Sequence, residues 1–161
     1  MFHGSRRTVE AVVSGDVAVG IAGAATVTRA LAADVSIVPV AALFQRPMVV
    51  VYSIRDVFGQ PLTQADQLRG HRVGMPIPSE TSLLGHLFLS QANLLDEVDV
   101  VDVGGEEDDA LQSGKVDAVT GMFADPMRLE AAGESVDSLH VAGQYPIYGP
   151  TLIVAEQTLQ D

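Results

Sequence analysis

The feature that most constrains the fold is an alternation along the chain. Short β-prone runs, "VAVGIAG", "VSIVPVAAL", "MVVVYS", "HRVGM", "VDVVDVG", "VDAVTGM", "LHVAG" and "TLIVAE", are mostly separated by segments with helical punctuation. Those segments fall at residues 8–14, 26–33, 63–70, 82–92, 106–113 and 126–132. Gly15 is a suitable stop for the first helix; Thr63 and Gly70 are suited to cap and close the third. Strands alternating with helices across short loops predict α/β layers with mostly parallel sheets. In such sheets ligands bind beyond the carboxyl ends of the strands. Three joints at those ends stand out: "IAGAAT", "MPIPSETS" and "GMFADP". Their small residues let a ligand approach the backbone, and their Ser, Thr and Asp side chains can bond to it.

Composition narrows the function. At 161 residues, 47% of them apolar, the chain suffices for one ordinary domain or two small lobes and is too apolar for disorder. A formal net charge of -12 argues against nucleic acid as a partner, since phosphate binding needs clustered Lys and Arg, and the only lysine is Lys115. No cysteine is present, which excludes disulfides, thiolate metal sites and a cysteine nucleophile. The longest apolar candidate for a membrane span, residues 11–33, is broken by Gly15, Asp16 and Arg29. The opening "MFHGSRRTVE" lacks the apolar core of a secretory signal, which favours a cytoplasmic protein if Met1 is the true start. "GGEEDD" reads as a loop followed by an acidic helix start.

The residues at the three joints admit two readings each. Ser79, Glu80 and Thr81 offer hydroxyls and helix N-terminal N–H groups to an anionic or carbonyl ligand end, or they form an N-cap and first turn. Asp125 is a carboxylate that can accept from an exocyclic amine, or cap the helix beginning at Pro126. Phe123 either stacks on a flat ring or fills the core. Gln45 lies between strands with an amide that donates and accepts; Arg46 beside it neutralises a ligand or is solvated. Tyr145 and Tyr148 flank Pro146, lining a cleft or packing a hinge, and Gly23, Ala24 and Thr26 form the small-residue joint. His3, His71, His86 and His140 show no metal-ligand spacing, and no Ser, His and Asp grouping forms a nucleophile elbow.

Five segments in order carry a resemblance: "VSGDVAVGIAG", "VPVAALFQRPMVVVYS", "DQLRGHRVGMPIPSE", "VDVGGEEDDALQSGKVDAVTGMFADP" and "YPIYGPTLIVAEQTL". Together they resemble the thiamine-pyrimidine family of type II periplasmic-binding-protein folds. That family includes bacterial binding proteins for thiamine-pyrimidine precursors and the fungal pyrimidine synthase, within the nitrate-, sulfonate- and taurine-type group. The phrases "VSGDVAVG" and "DQLRGHRVG" are common to the whole group; "FQRP", "GMPIPSE" and "YPIYGPTLIVA" point to the pyrimidine branch.

The resemblance implies two α/β lobes joined by crossing strands, with the ligand between them. It places the first crossing near residues 48–53 and the return near 151–155, with 1–54 and 145–161 in the first lobe and 55–144 in the second. It also implies an incomplete chain, beginning after the family's first strand and helix and ending before its last helices. The expected role is a non-enzymatic solute-binding protein that captures a thiamine-type pyrimidine precursor for an ABC permease. Its expected place is periplasmic or extracellular, membrane-anchored through a segment outside this chain; a fragment is expected to form homo-oligomers. Expected ligand contacts are Gly23, Ala24, Gln45, Ser79, Glu80, Thr81, Phe123, Asp125, Tyr145 and Tyr148. The fungal enzyme's cysteine-rich motif is absent and no lysine is placed to hold pyridoxal phosphate, so no cofactor is expected. A pyrimidine-synthesising enzyme and a cytoplasmic ligand-sensing domain are the alternatives that the fold permits.

Overall fold

The computed structural model describes residues 4–143 and 147–159. In chain order these form α1 (Ser5–Val13), β1 (Val19–Gly23), α2 (Ala24–Ala32), β2 (Ile37–Ala42), β3 (Val49–Ile54), α3 (Arg55–Phe58) and β4 (Arg72–Met75). There follow α4 (Glu80–Gln91), β5 (Asp99–Asp102), α5 (Glu107–Gln112), β6 (Ala118–Met122), α6 (Asp125–Ala131), β7 (Val136–His140) and β8 (Pro150–Ala155). Two compact units divide the chain: Met1–Pro47 with Pro146–Asp161, and Met48–Tyr145.

The first unit is a three-stranded sheet, β1-β8-β2, with α1 and α2 packed on one face. Val9 and Val12 of α1 and Val27 of α2 bury against Ala22, Ile37, Ile153 and Ala155 of the strands. Each such side chain is worth about 1.5–3 kcal/mol in burial, Ala less. Gly15, at φ 80, takes the left-handed conformation that ends α1. β8 pairs antiparallel with both neighbours, in register from Val19↔Val154 to Gly23↔Pro150 on one side. On the other side the register slips between Pro39 and Ala41, a bulge in the edge strand β2.

The second unit is a five-stranded sheet of order β5-β4-β6-β3-β7. Every residue of β3 is buried, as expected for a strand paired on both edges and covered on both faces. Val50, Tyr52, Ile54 and Val119 point to one face, where they pack against Ala110 and Leu111 of α5 and Leu129 of α6. α4 covers the opposite face. It approaches so closely that a Cβ on Gly85 would lie 2.6 Å from Thr120 Cγ2 and 3.1 Å from Met75 Cε. The Ser53 and Thr120 hydroxyls are buried with no hydrogen-bond partner among the described residues.

The sheets are mixed, whereas strand-helix alternation predicted mostly parallel ones. β4 pairs in parallel with β5 and β6; the other pairings, among the described residues, are antiparallel. The reason is specific. β1 runs the same way as β2, and β4 to β7 all run the same way, as helical crossovers require. One guest strand then inserts against the grain of each sheet: β8 between β1 and β2, and β3 between β6 and β7. Each guest is the first strand after the chain passes from one unit to the other.

Other differences are local. Residues 48–54, expected with the first lobe, belong to the second unit because β3 bonds to β6 and β7. The helix expected at 63–70 is a single 3₁₀ turn, Ala65–Leu68. Its cap is the Gln67 side chain, whose Oε1 accepts from the N–H of Thr63 at 2.8 Å and of Gln64 at 3.0 Å. The strand expected at 139–143 begins earlier, as β7, and ends in a 3₁₀ turn at Val141–Gly143. α3, one turn closed by Gly59 at φ 82, carried no periodic signal.

Candidate functional site

Each unit presents loops at the carboxyl ends of its like-directed strands. In the first unit these are the joint after β1, residues 43–47, and residues 147–149 leading into β8. Gly23 ends β1, begins the cap of α2, and donates its N–H to Ser5 Oγ at 3.0 Å. Ala24 is buried behind it as the first residue of α2. The stretches "FQRP" and "IYGP", about a hundred positions apart, are drawn together here. Leu43 N–H donates to the Pro150 carbonyl at 2.9 Å, and Gly149 N–H to the Phe44 carbonyl at 2.9 Å. A side chain at Gly149 would run into the Arg46 carbonyl, so the approach requires glycine. Phe44, Gln45, Arg46 and Tyr148 are left exposed around this contact, Tyr148 most of all at 62%. Tyr145 lies outside the described residues.

In the second unit the corresponding loops follow β4, β5 and β6. Ser79 is the N-cap of α4: its Oγ accepts the Ser82 N–H at 3.0 Å and the Ser82 Oγ accepts the Ser79 N–H at 3.0 Å. Thr81 Oγ1 lies 2.7 Å from Ser79 Oγ, and Glu80 opens the first turn. The capping role is therefore built in, with Ser79 itself exposed. The loop before it contains a cis Ile77–Pro78 peptide. It is held by Asp102, the last residue of β5, which accepts from Ile77 N–H at 3.1 Å and Gly104 N–H at 2.9 Å. Those backbone donors, Gly104 first, hold the Asp102 carboxyl below the usual carboxylate range.

Asp125 opens α6, with both oxygens engaged. Oδ2 accepts the Met122 N–H at 2.6 Å, closing the turn after β6, and Oδ1 accepts from Arg128 Nη1 at 2.6 Å. Phe123 rides on that turn, 47% exposed, which sets aside the core reading of it. Arg128 also donates from Nε and Nη2 to Asp108 Oδ2, at 3.2 and 2.7 Å. Asp108 Oδ1 in turn accepts from the buried Tyr52 hydroxyl at 2.9 Å. Burial, and then the Asp108 carboxylate, push the Tyr52 hydroxyl far above its ordinary pKa, so it remains a donor. Sequence reasoning missed Tyr52, Asp108 and Arg128, which no spacing connects. Asp102 did have a signal: "DVGG", an acidic residue two positions before a glycine that turns back onto it.

Two of the histidines have local partners. His71 packs on Phe58 with ring centroids 4.5 Å apart, and His86 Nδ1 lies 2.7 Å from the Ser82 carbonyl. Among the described residues no three His, Cys, Asp or Glu side chains group to hold a metal, and no helix is long and apolar enough to cross a membrane.

A family model described as NMT1/THI5 like matches residues 3–161. No curated protein sequence matches the chain. Among solved structures, it resembles the periplasmic aliphatic sulphonate binding protein SsuA from Escherichia coli, at 21% identity and a TM-score of 0.80. That match covers 99% of this chain and 54% of the other. The alkanesulfonate-binding protein SsuA from Xanthomonas axonopodis pv. citri, bound to MOPS, matches at 18% identity and TM-score 0.71, covering 99% and 55%. The ligand binding component of an ABC-type import system from Staphylococcus aureus, with zinc bound, matches at 16% identity and TM-score 0.68, covering 99% and 55%. The fold is that of these proteins, and the chain spans about half their length.

Proposed function

The chain belongs to the NMT1/THI5-like family, and from that premise we propose that it is the ligand-capturing part of a solute-binding protein for an ABC permease. The ligand in this reading is a small flat heterocycle, a thiamine-type pyrimidine precursor. One observation carries the ligand class. The described aromatic residues divide into Tyr52, Phe58 and Phe88, which are buried, and Phe44, Phe123 and Tyr148, which are exposed. All three exposed rings stand on the loops at the carboxyl ends of the strands, where exposed aromatic surface serves to stack a ring. Each unit also carries donors and acceptors of the kind a heterocycle needs, Gln45 in the first and the Ser79 and Thr81 hydroxyls in the second. Tyr145 is a further proposed contact.

Asp125 enters this reading differently from a bare acceptor. Its oxygens already have two donors, so it supports the turn beneath Phe123 and offers only its remaining lone pairs to an amine. We read the role as capture rather than turnover, since the same fold serves both and the exposed rings offer a surface for stacking. The proposed location is periplasmic or extracellular, anchored to the membrane through a further segment.

Thermal shift assays test the proposal. An aminopyrimidine should raise the melting temperature, while taurine, nitrate and aliphatic sulfonates should not, because only a ligand that prefers the folded state stabilises it. Stabilisation by sulfonates equal to or greater than that by the aminopyrimidine would overturn the pyrimidine reading.

A further inference from the structure

Four elements of the second unit meet in one chain of side-chain hydrogen bonds: Tyr52 of β3, Asp108 of α5, Arg128 and Asp125 of α6, and the Met122 N–H that ends β6. Gly121 makes room for it, since a Cβ there would lie 2.6 Å from Asp125 Oδ2 and 2.9 Å from Tyr52 Cε1. Arg128 is the centre. Its three guanidinium nitrogens serve two carboxylates at once, both on half-buried side chains, while its own stem is largely exposed.

We propose that Arg128 is a positioning residue, a clamp that fixes α5 against α6 and, through Asp125, fixes the 122–125 turn that presents Phe123. The helices it joins are short, six and seven residues, and segments of that length do not hold themselves in water. Few apolar side chains anchor them: Ala110 and Leu111 bury from α5, Pro126 and Leu129 from α6. A guanidinium fork is planar and rigid, so satisfying both carboxylates sets distance and orientation together; an ammonium serves one at a time. An isolated exposed ion pair is worth little, but this one is multiply bonded and backed by a buried hydroxyl.

The clamp's effect on ligand affinity rests on the function proposed above; its effect on the turn does not, and the two are read separately. The chain contains no tryptophan, so Phe123→Trp places a single indole on the turn. In that background Arg128→Lys keeps the charge and loses the fork. Arg55→Lys is the control: it breaks an equivalent two-pronged pair, with Asp137, that does not touch the turn. Well below the melting temperature, Arg128→Lys should increase acrylamide quenching of the indole and lower its anisotropy. Arg55→Lys should change neither, even where it lowers the melting temperature as much. An unchanged indole in Arg128→Lys, or equal changes in both variants, overturns the clamp.

With Phe123 restored, calorimetric titration of an aminopyrimidine should weaken about tenfold in Arg128→Lys, as for one lost charge-assisted bond. Equal affinity in parent and variant overturns the clamp's role at the ligand face. A parent that binds no pyrimidine overturns the ligand proposal, and the indole still decides the clamp.

Discussion

Gly85→Ala sets two physical effects against each other. On helix propensity alone the substitution stabilises α4 by roughly 1 kcal/mol. Packing opposes it. The added methyl would lie 2.6 Å from Thr120 Cγ2, 3.1 Å from Met75 Cε and 3.2 Å from Met75 Sδ. Carbon atoms rest about 3.5–4.0 Å apart, so α4 or its neighbours must yield by roughly 1 Å. Met75 is a flexible side chain that adapts. Thr120 is β-branched and stiff, and it stands on β6, an inner strand held by β4 and β3. Overpacking of this kind costs about 1–3 kcal/mol, and the rigid partner puts it in the upper part of that range. The net expectation is a loss of about 1–2 kcal/mol, or roughly 3–6 °C in melting temperature.

Thr120→Ser supplies the internal check, because it removes the clashing methyl and keeps the hydroxyl. Alone it should cost about 1 kcal/mol for a lost buried methyl. Combined with Gly85→Ala its effect should be clearly non-additive, with a favourable coupling of about 1–2 kcal/mol in a double-mutant cycle read by urea denaturation. A Gly85→Ala protein at least as stable as the parent, or strict additivity with Thr120→Ser, would refute the close-contact account.

Gly149→Ala should lower stability by more than about 2 kcal/mol and weaken ligand binding, since the new methyl displaces the Arg46 carbonyl in the loop that carries Gln45; melting and titration of the variant check it. The pH dependence follows from Asp117, Asp137 and Asp102. Hydrogen bonds, from Arg72 to the first, Arg55 to the second and backbone N–H groups to the third, lower their folded pKa values. Such groups contribute stability that is complete above the unfolded value of about pH 4 and is lost as pH falls through the lower folded values. The parent and Asp117→Asn should therefore differ in unfolding midpoint at pH 7, and the difference should shrink progressively as pH falls below about 4; a difference that persists undiminished into strong acid would contradict the assignment.

Much of the fold was legible because its strands bury both faces or end in small residues. "MVVVYS" could be little but an inner strand, and the joints after β1, β4 and β6 were found where the apolar runs stop. The direction of β3 and β8 was not legible: a strand's sequence records which face is buried, not which way its neighbours run. The span 63–70 forms no full helix because Gln67 closes its turn on the backbone of Thr63 and Gln64, ending the helix as it begins. The start of β7 is hidden because Val136–His140 mixes its apolar residues with Asp and Ser, a composition typical of a loop. At the site, Ser79 was legible from the cap it forms with Ser82. Asp125 was found for its position, but its partners could not be, since Arg128 and Asp108 are brought together from α6 and α5 only by the folded sheet.

The guest strands impose an order of assembly. The second unit is continuous in the chain, and its residues can find one another as soon as they are made. The first unit cannot, because its central strand, β8, comes last and pairs with residues more than a hundred positions upstream. Until residues 150–155 leave the ribosome, β1 and β2 have no strand between them and the apolar faces of α1 and α2 have no sheet to cover. The unit that is split in the sequence thus closes after the continuous one is made, and its exposure during synthesis lasts as long as the translation of everything between.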